Sequence, residues 1–137
     1  MTAARFMLDT DMCIYIRRKR PQAVMSRFTA LGPGDAVISV VSYGELRVGA
    51  EKSRWRDQDL GLLEAFAAIV PVEPLPAAAG AVYARVRSQL ERRGEIIGNN
   101  DLWIAAHALS ARLTLVTNNE REFRRVSGLT VENWAAT

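Results

Sequence analysis

The chain has 137 residues, 49% of them apolar and 24% charged, with a net charge of +3 and a pI near 9.5. That length fits one domain with a real core, and the charge permits a polyanionic partner without requiring one. A single cysteine, Cys13, excludes an internal disulfide and a cysteine-based zinc site. No apolar run approaches the roughly 18–20 residues of a membrane span, and Met1-Thr2-Ala3-Ala4-Arg5 lacks the pattern of a secretory leader, so the chain reads as cytoplasmic.

Phe6-Met7-Leu8 has the character of a short buried strand, and Asp9-Thr10-Asp11 behind it favours a helix N-cap. A helix through Ile14, Tyr15 and Ile16 should end before Pro21, because the residue preceding a proline avoids the helical region. Pro21 suits the first turn of a second helix carrying Val24, Met25, Phe28 and Leu31, which Gly32-Pro33-Gly34 breaks. Ala36 to Val40 is β-branched and apolar, the mark of a central strand, and Ser42 to Lys52 reads as a helix. An amphipathic helix over Asp57 to Ala68 leads into Ile69-Val70-Pro71-Val72, a short strand whose proline assigns it to a sheet edge. Pro76 to Arg93 is the longest helical pattern, with Ala79, Val82, Tyr83, Val86 and Leu90 on one stripe and Gly94 as its C-cap. Asn100 to Ala111 is almost wholly apolar and predicts a buried helix. Leu113 to Val116 is the next strand, and Leu129-Thr130-Val131 the last. Strands separated by helices predict an α/β fold with a mostly parallel sheet. With no repeat or linker in view, residues 1–137 read as one domain.

Three acids stand at the ends of apolar runs. Asp9 closes Phe6-Met7-Leu8, Glu45 follows Ala36 to Val41, and Asp101 opens the helical run from Leu102. Open α/β sheets bind ligands at the carboxyl ends of their strands, so these carboxylates are candidates for one crevice. Oxygen donors without His or Cys partners suit a hard cation such as Mg²⁺ or Mn²⁺, and metal-assisted chemistry on phosphates. Each acid also has a structural role open to it. Ser42-Tyr43-Gly44-Glu45 has capping-box spacing, Asp9 can cap a helix, and the macrodipole favours Asp101 near a helix start.

His107, the lone histidine, lies six positions after Asp101, about 120° around a helix from it, and reads as a satisfied core residue. Without a Gly-x-Ser-x-Gly elbow or a P-loop, serine-hydrolase and P-loop chemistries fall away. Basic clusters at Arg17 to Arg20, Arg92-Arg93 and Arg121 to Arg125 are solvated faces or phosphate contacts. Met7-Leu8-Asp9-Thr10-Asp11 resembles the first motif of haloacid-dehalogenase-type phosphatases, with Asp9 as nucleophile and Asp11 as acid. Gly98-Asn99-Asn100-Asp101 is only a faint echo of that family's later motif.

Taken in register, Met7 to Tyr15, Ile38 to Leu46, Ile97 to Ala108, Leu115 to Asn119 with Arg121-Glu122-Phe123, and Gly128 to Trp134 resemble a PIN-domain ribonuclease. The likeness is to its VapC-type members, the toxins of toxin–antitoxin pairs. The resemblance implies a three-layer fold and a site in which Asp9, Glu45 and Asp101 hold Mg²⁺ or Mn²⁺. Thr10, Asp11, Thr117 and Asn118 would then position the substrate. Asn119 stands where the family often has a fourth acid, which removes a charge, while Asp11 stands where Asn is more familiar and adds one back. The implied activity is hydrolysis of phosphodiester bonds in RNA, with a transfer-RNA anticodon stem-loop as the leading substrate. The implied partners are a second copy of the chain and a cognate VapB-type antitoxin that covers the acidic cleft in a hetero-oligomer. A non-catalytic PIN-like RNA-binding module is the other implication. Three retained acids argue against it and the missing fourth argues for it.

Overall fold

Phe6, Met7 and Leu8 are all buried, as a strand packed on both faces requires. They form β1 (Phe6–Leu8), the middle strand of the sheet in the computed structural model, which describes residues 3–136. Met1 and Thr2, part of the segment read above for a leader, lie outside the described residues, as does residue 137.

After β1 come α1 (Thr10–Arg18), α2 (Gln22–Thr29), β2 (Ala36–Ser39), α3 (Val40–Glu51), α4 (Arg56–Ile69) and β3 (Val72–Glu73). The second half holds α5 (Ala78–Arg93), α6 (Asn99–Ala111), β4 (Thr114–Val116), α7 (Glu120–Phe123) and β5 (Val131–Glu132). The strands lie in the order β3-β2-β1-β4-β5, and all four pairings are parallel. The expected α/β architecture holds, with a sheet that is parallel throughout.

Alternation along the strands separates two cores. Phe6, Leu8 and Ile38 pack with Met12, Ile16, Leu46, Leu63 and Phe66 on the face covered by α1 to α4. Met7, Val37 and Leu115 pack with Val86, Leu90, Leu102 and Phe123 on the face covered by α5 to α7. Cys13 is buried in the first of these cores, a small apolar filler.

Several boundaries differ from expectation by a residue or two, and three of the differences are instructive. β2 stops at Ser39 and helix begins at once: Ala36 and Val37 pair with β1, Ile38 and Ser39 pair with Val72 and Glu73 of β3, and β3 ends there. Ile69 belongs to α4, so β3 starts after Pro71, whose carbonyl accepts the Ile38 N–H at 2.9 Å. The ring therefore sits where no donor is needed. The last strand is shifted to Val131–Glu132, and the four-residue α7 has no counterpart among the predicted elements.

The chain leaves β1 for β2 on one side and returns to β4 on the other. That reversal opens a crevice at the carboxyl ends of β1 and β4, the place where open parallel sheets bind ligands.

Leu115 is 0% exposed in the centre of the second core, whereas Leu62 on α4 is 52% exposed. Leu115→Ala should therefore lower the unfolding free energy by about 2–5 kcal/mol. Leu62→Ala should stay within about 0.5 kcal/mol of the parent. Urea unfolding midpoints of the two variants check the difference.

Candidate active site

Asp9 is the first residue after β1 and the N-cap of α1, with extended backbone at φ −69° and ψ 163°. Its Oδ1 accepts the Thr10 N–H at 2.9 Å, and its Oδ2 accepts the Thr117 hydroxyl at 2.8 Å. Thr117 is the first residue after β4, so this bond closes the crevice floor between the two strands. Thr117 Oγ1 in turn accepts the Asn119 N–H at 2.9 Å. Asp9 thus caps a helix and faces the crevice at once. It is 6% exposed. Burial, followed by the nearby charge of Asp11, raises its pKa from 3.8 to about 7 in spite of the Thr117 and Thr10 bonds.

The capping-box reading of Glu45 is corrected by the structure. Ser39, not Ser42, caps α3, its Oγ accepting the Val41 N–H at 3.1 Å. Ser42 is buried, and its Oγ has no hydrogen-bond partner among the described residues. Glu45 is therefore free of helix capping and lies in the second turn of α3. Its Oε1 accepts the Thr10 hydroxyl at 2.7 Å, and its Oε2 lies 3.5 Å from Asn100 Nδ2.

Asp101 lies in the first turn of α6. Burial, then the charges of Glu45, Glu122 and Asp11, raise its pKa to about 6. Asp11 is also pushed up by burial. Its Oδ2 accepts the Asn118 N–H at 3.0 Å, and its buried Oδ1 has no hydrogen-bond partner among the described residues.

Glu122 is the site residue that sequence reasoning missed. Its charge acts on Asp101, and its Oε2 accepts Asn119 Nδ2 at 3.2 Å. The expected fourth position is thus an amide that bonds to an acid, and the fourth carboxylate comes from one turn of helix further on. The only sequence signal was the three-residue spacing of Asn119 and Glu122, which α7 turns into proximity. Asn118 is held by Asp11, by Tyr15 Oη at 3.2 Å and by Asn133 at 3.1 Å. His107 stands apart from the acids. It is 2% exposed, bonded through Nδ1 to Ser39 Oγ at 2.8 Å, and burial lowers its pKa, as expected of a satisfied core histidine.

Among the described residues no three His, Cys, Asp or Glu side chains are already gathered closely enough to hold a metal ion. The acids ring the crevice instead of converging on a point. Mg²⁺ is bound through one or two carboxylates and keeps several waters. The all-oxygen donor set, the unpartnered Oδ1 of Asp11 and the raised pKa values of Asp9 and Asp101 all favour a positive charge there.

Two concavities flank the acids. One of about 180 Å³ is lined by Thr10, Arg17, Glu45 and Asp59 among others, and one of about 410 Å³ by Glu45, Gly98, Asn99, Asn100 and Asp101. Arg17 brings the first basic cluster to the rim. Two residues of the last cluster are tied down locally, Arg124 on Glu120 at 3.2 Å and Arg125 on the carbonyls of Glu95 and Ile96.

Comparison with known proteins decides the family, for the PIN-domain profile matches residues 6–129. The chain belongs to the PIN-domain family. Within it, the chain is 42% identical to the tRNA(fMet)-specific endonuclease VapC of Shigella flexneri, over 96% of this chain and 98% of that one. It is 38% identical to ribonuclease VapC2 of Haemophilus influenzae, over 95% and 98%. Among solved structures, DNA-bound VapBC from Salmonella typhimurium superposes with a TM-score of 0.89 at 36% identity, covering 96% of this chain and 98% of its own. VapBC2 from Rickettsia felis, bound to a promoter DNA fragment, gives 0.87 at 37%, covering 94% and 98%. The PIN domain accounts for the three layers and the VapC-type resemblance, and it displaces the dehalogenase-type phosphatase reading of Asp9 and Asp11.

The carboxyl groups of this PIN domain leave a signature in stability. Asp9 and Asp101 bind protons in the folded chain at pH values where the unfolded chain has released them. Their contribution to the stability of the metal-free protein is present at low pH and lost as pH rises from about 4 to about 7. Asp9→Asn should therefore stabilise the metal-free protein at pH 8 by on the order of 1–3 kcal/mol, and by roughly a third of that at pH 5. Urea unfolding in EDTA at both pH values measures this, and equal stabilities at pH 8 would contradict it.

Proposed function

We propose that this chain is a metal-dependent endoribonuclease and the toxin of a toxin–antitoxin pair, cutting RNA in the cytoplasm. The observation that carries this reading is the crevice at the ends of β1 and β4. Asp9, Glu45, Asp101 and Glu122 ring it, on a fold whose relatives are named as VapC ribonucleases. A transfer RNA is the favoured substrate, in keeping with the name of the Shigella flexneri relative. Single-stranded loops suit an open crevice, since their bases and backbone are splayed out and accessible.

Asp9, Glu45 and Asp101, with Glu122, are the residues that would hold Mg²⁺ or Mn²⁺. Such an ion lowers the pKa of a bound water and neutralises charge on a phosphate. The protein's own part is to keep the carboxylates aimed. Thr117 fixes the Asp9 rotamer, Thr10 fixes Glu45, and Asn119 fixes Glu122. Thr10 and Thr117 therefore act on the substrate through the acids they orient, while Asp11 and Asn118, bonded to one another at 3.0 Å, would position it beside them. Arg17 at the rim offers a counter-charge to the RNA backbone.

The solved VapBC structures are toxin–antitoxin complexes, and the same arrangement is proposed here. A VapB-type antitoxin would cover the crevice, with a homodimer of this chain at the centre of the hetero-oligomer. A basic antitoxin side chain laid among the acids would compete with the cation for the same negative field.

Purified chain incubated with transfer RNA and Mg²⁺ or Mn²⁺ should cut it at a discrete site, and EDTA should stop the reaction. Asp101→Asn should slow cleavage by at least roughly a thousandfold while the chain stays folded. Cleavage that survives that substitution would overturn the assignment. RNA bound but left intact with either metal would instead favour the non-catalytic binding module.

A further inference from the structure

His107 is a titratable side chain sealed in the core, and neither the acid cluster nor the rim uses it. Its position relative to Asp101 is the informative fact. Ser39, its partner, caps α3 and precedes Glu45 by six residues. His107 follows Asp101 on α6 by the same six. Ser39 meets His107 at 2.8 Å, and Glu45 meets Asn100, the neighbour of Asp101, at 3.5 Å. The two helices therefore pass in opposite directions and are joined at two levels, about 9 Å apart along each axis. Among the described residues these are the side-chain hydrogen bonds between α6 and the β2–α3 segment.

The two levels pull in opposite senses. At the crevice, the Glu45 and Asp101 charges repel, as the effect of Glu45 on Asp101 shows. In the core, a neutral imidazole and a hydroxyl attract. The Ser39 hydroxyl accepts the Val41 N–H and still has a hydrogen and a lone pair for Nδ1, so either imidazole tautomer closes the contact.

We propose that the His107–Ser39 hydrogen bond is a positioning device that holds α3 against α6, sets the separation of Glu45 from Asp101, and thereby tunes the affinity of the crevice for a divalent cation. This rests on the metal-dependent reading above. His107 and Ser39 are positioning residues, not catalytic ones, because they act only through the helices that carry the acids.

Mn²⁺ binding to the full chain, measured calorimetrically beside thermal melting in EDTA, tests this with three variants. His107→Leu fills the space without a polar atom, and Ser39→Ala removes the partner and serves if the leucine variant does not fold. His107→Asn places an amide where Nδ1 stands. The leucine and alanine variants should bind Mn²⁺ roughly tenfold more weakly than the parent, and the asparagine variant within about twofold, whatever their melting temperatures. Parent-like affinity in the leucine or alanine variant would overturn the proposal, as would an asparagine variant as weak as leucine. A parent that binds no Mn²⁺ would overturn it together with the metal site. A parent that binds Mn²⁺ yet cuts no RNA would overturn the nuclease reading alone, and the variants would still decide this one.

Discussion

A carboxylate held almost out of water at the end of the middle strand governs this structure. Asp9 must meet donors or positive charge to remain ionised, and the fold supplies part of what it needs. The Thr10 amide at the start of α1 and the Thr117 hydroxyl at the end of β4 reach it directly. Asp101 lies in the first turn of α6 and Glu122 in that of α7, where helix macrodipoles favour acids. These contributions fall short, since Asp9 and Asp101 stay well above the usual carboxylate range. The divalent cation proposed for the crevice would supply the rest.

The small polar residues around the crevice serve the acids first. Thr10, Thr117, Asn118 and Asn119 each donate a hydrogen bond that fixes, or helps to fix, a carboxylate. They hold negative groups near one another without letting them collapse together or turn out to solvent. Deeper in the core, Ser39 and His107 brace the two helices on which Glu45 and Asp101 ride. The site is thus built in depth, from strand ends through capping residues to a buried polar tie.

Much of this was legible in the sequence because it is local. Phe6-Met7-Leu8 followed by Asp9 reads as a buried strand ending in a cap, and both halves of that reading hold. The start of α3 was less legible, because Ser39 and Ser42 are both plausible caps. The choice falls to the sheet, since β3, which pairs with Ile38 and Ser39, ends at Glu73 and leaves Val40 without a strand partner. Glu122 was invisible for a different reason. A four-residue helix has no periodicity to detect, and its relation to Asp101 exists only once α7 packs against the sheet. The antiparallel pairing of α3 with α6 likewise depends on a crossover between distant segments.

The central claim is that buried, mutually repelling carboxylates retain protons until a cation replaces them. Calorimetry of Mg²⁺ or Mn²⁺ binding in buffers of different ionisation enthalpy measures it directly by counting protons released. With Asp9 near 7 and Asp101 near 6, binding at pH 6.5 should release about one proton, and at pH 8.5 almost none. Cation binding with no proton release at pH 6.5 would contradict the account.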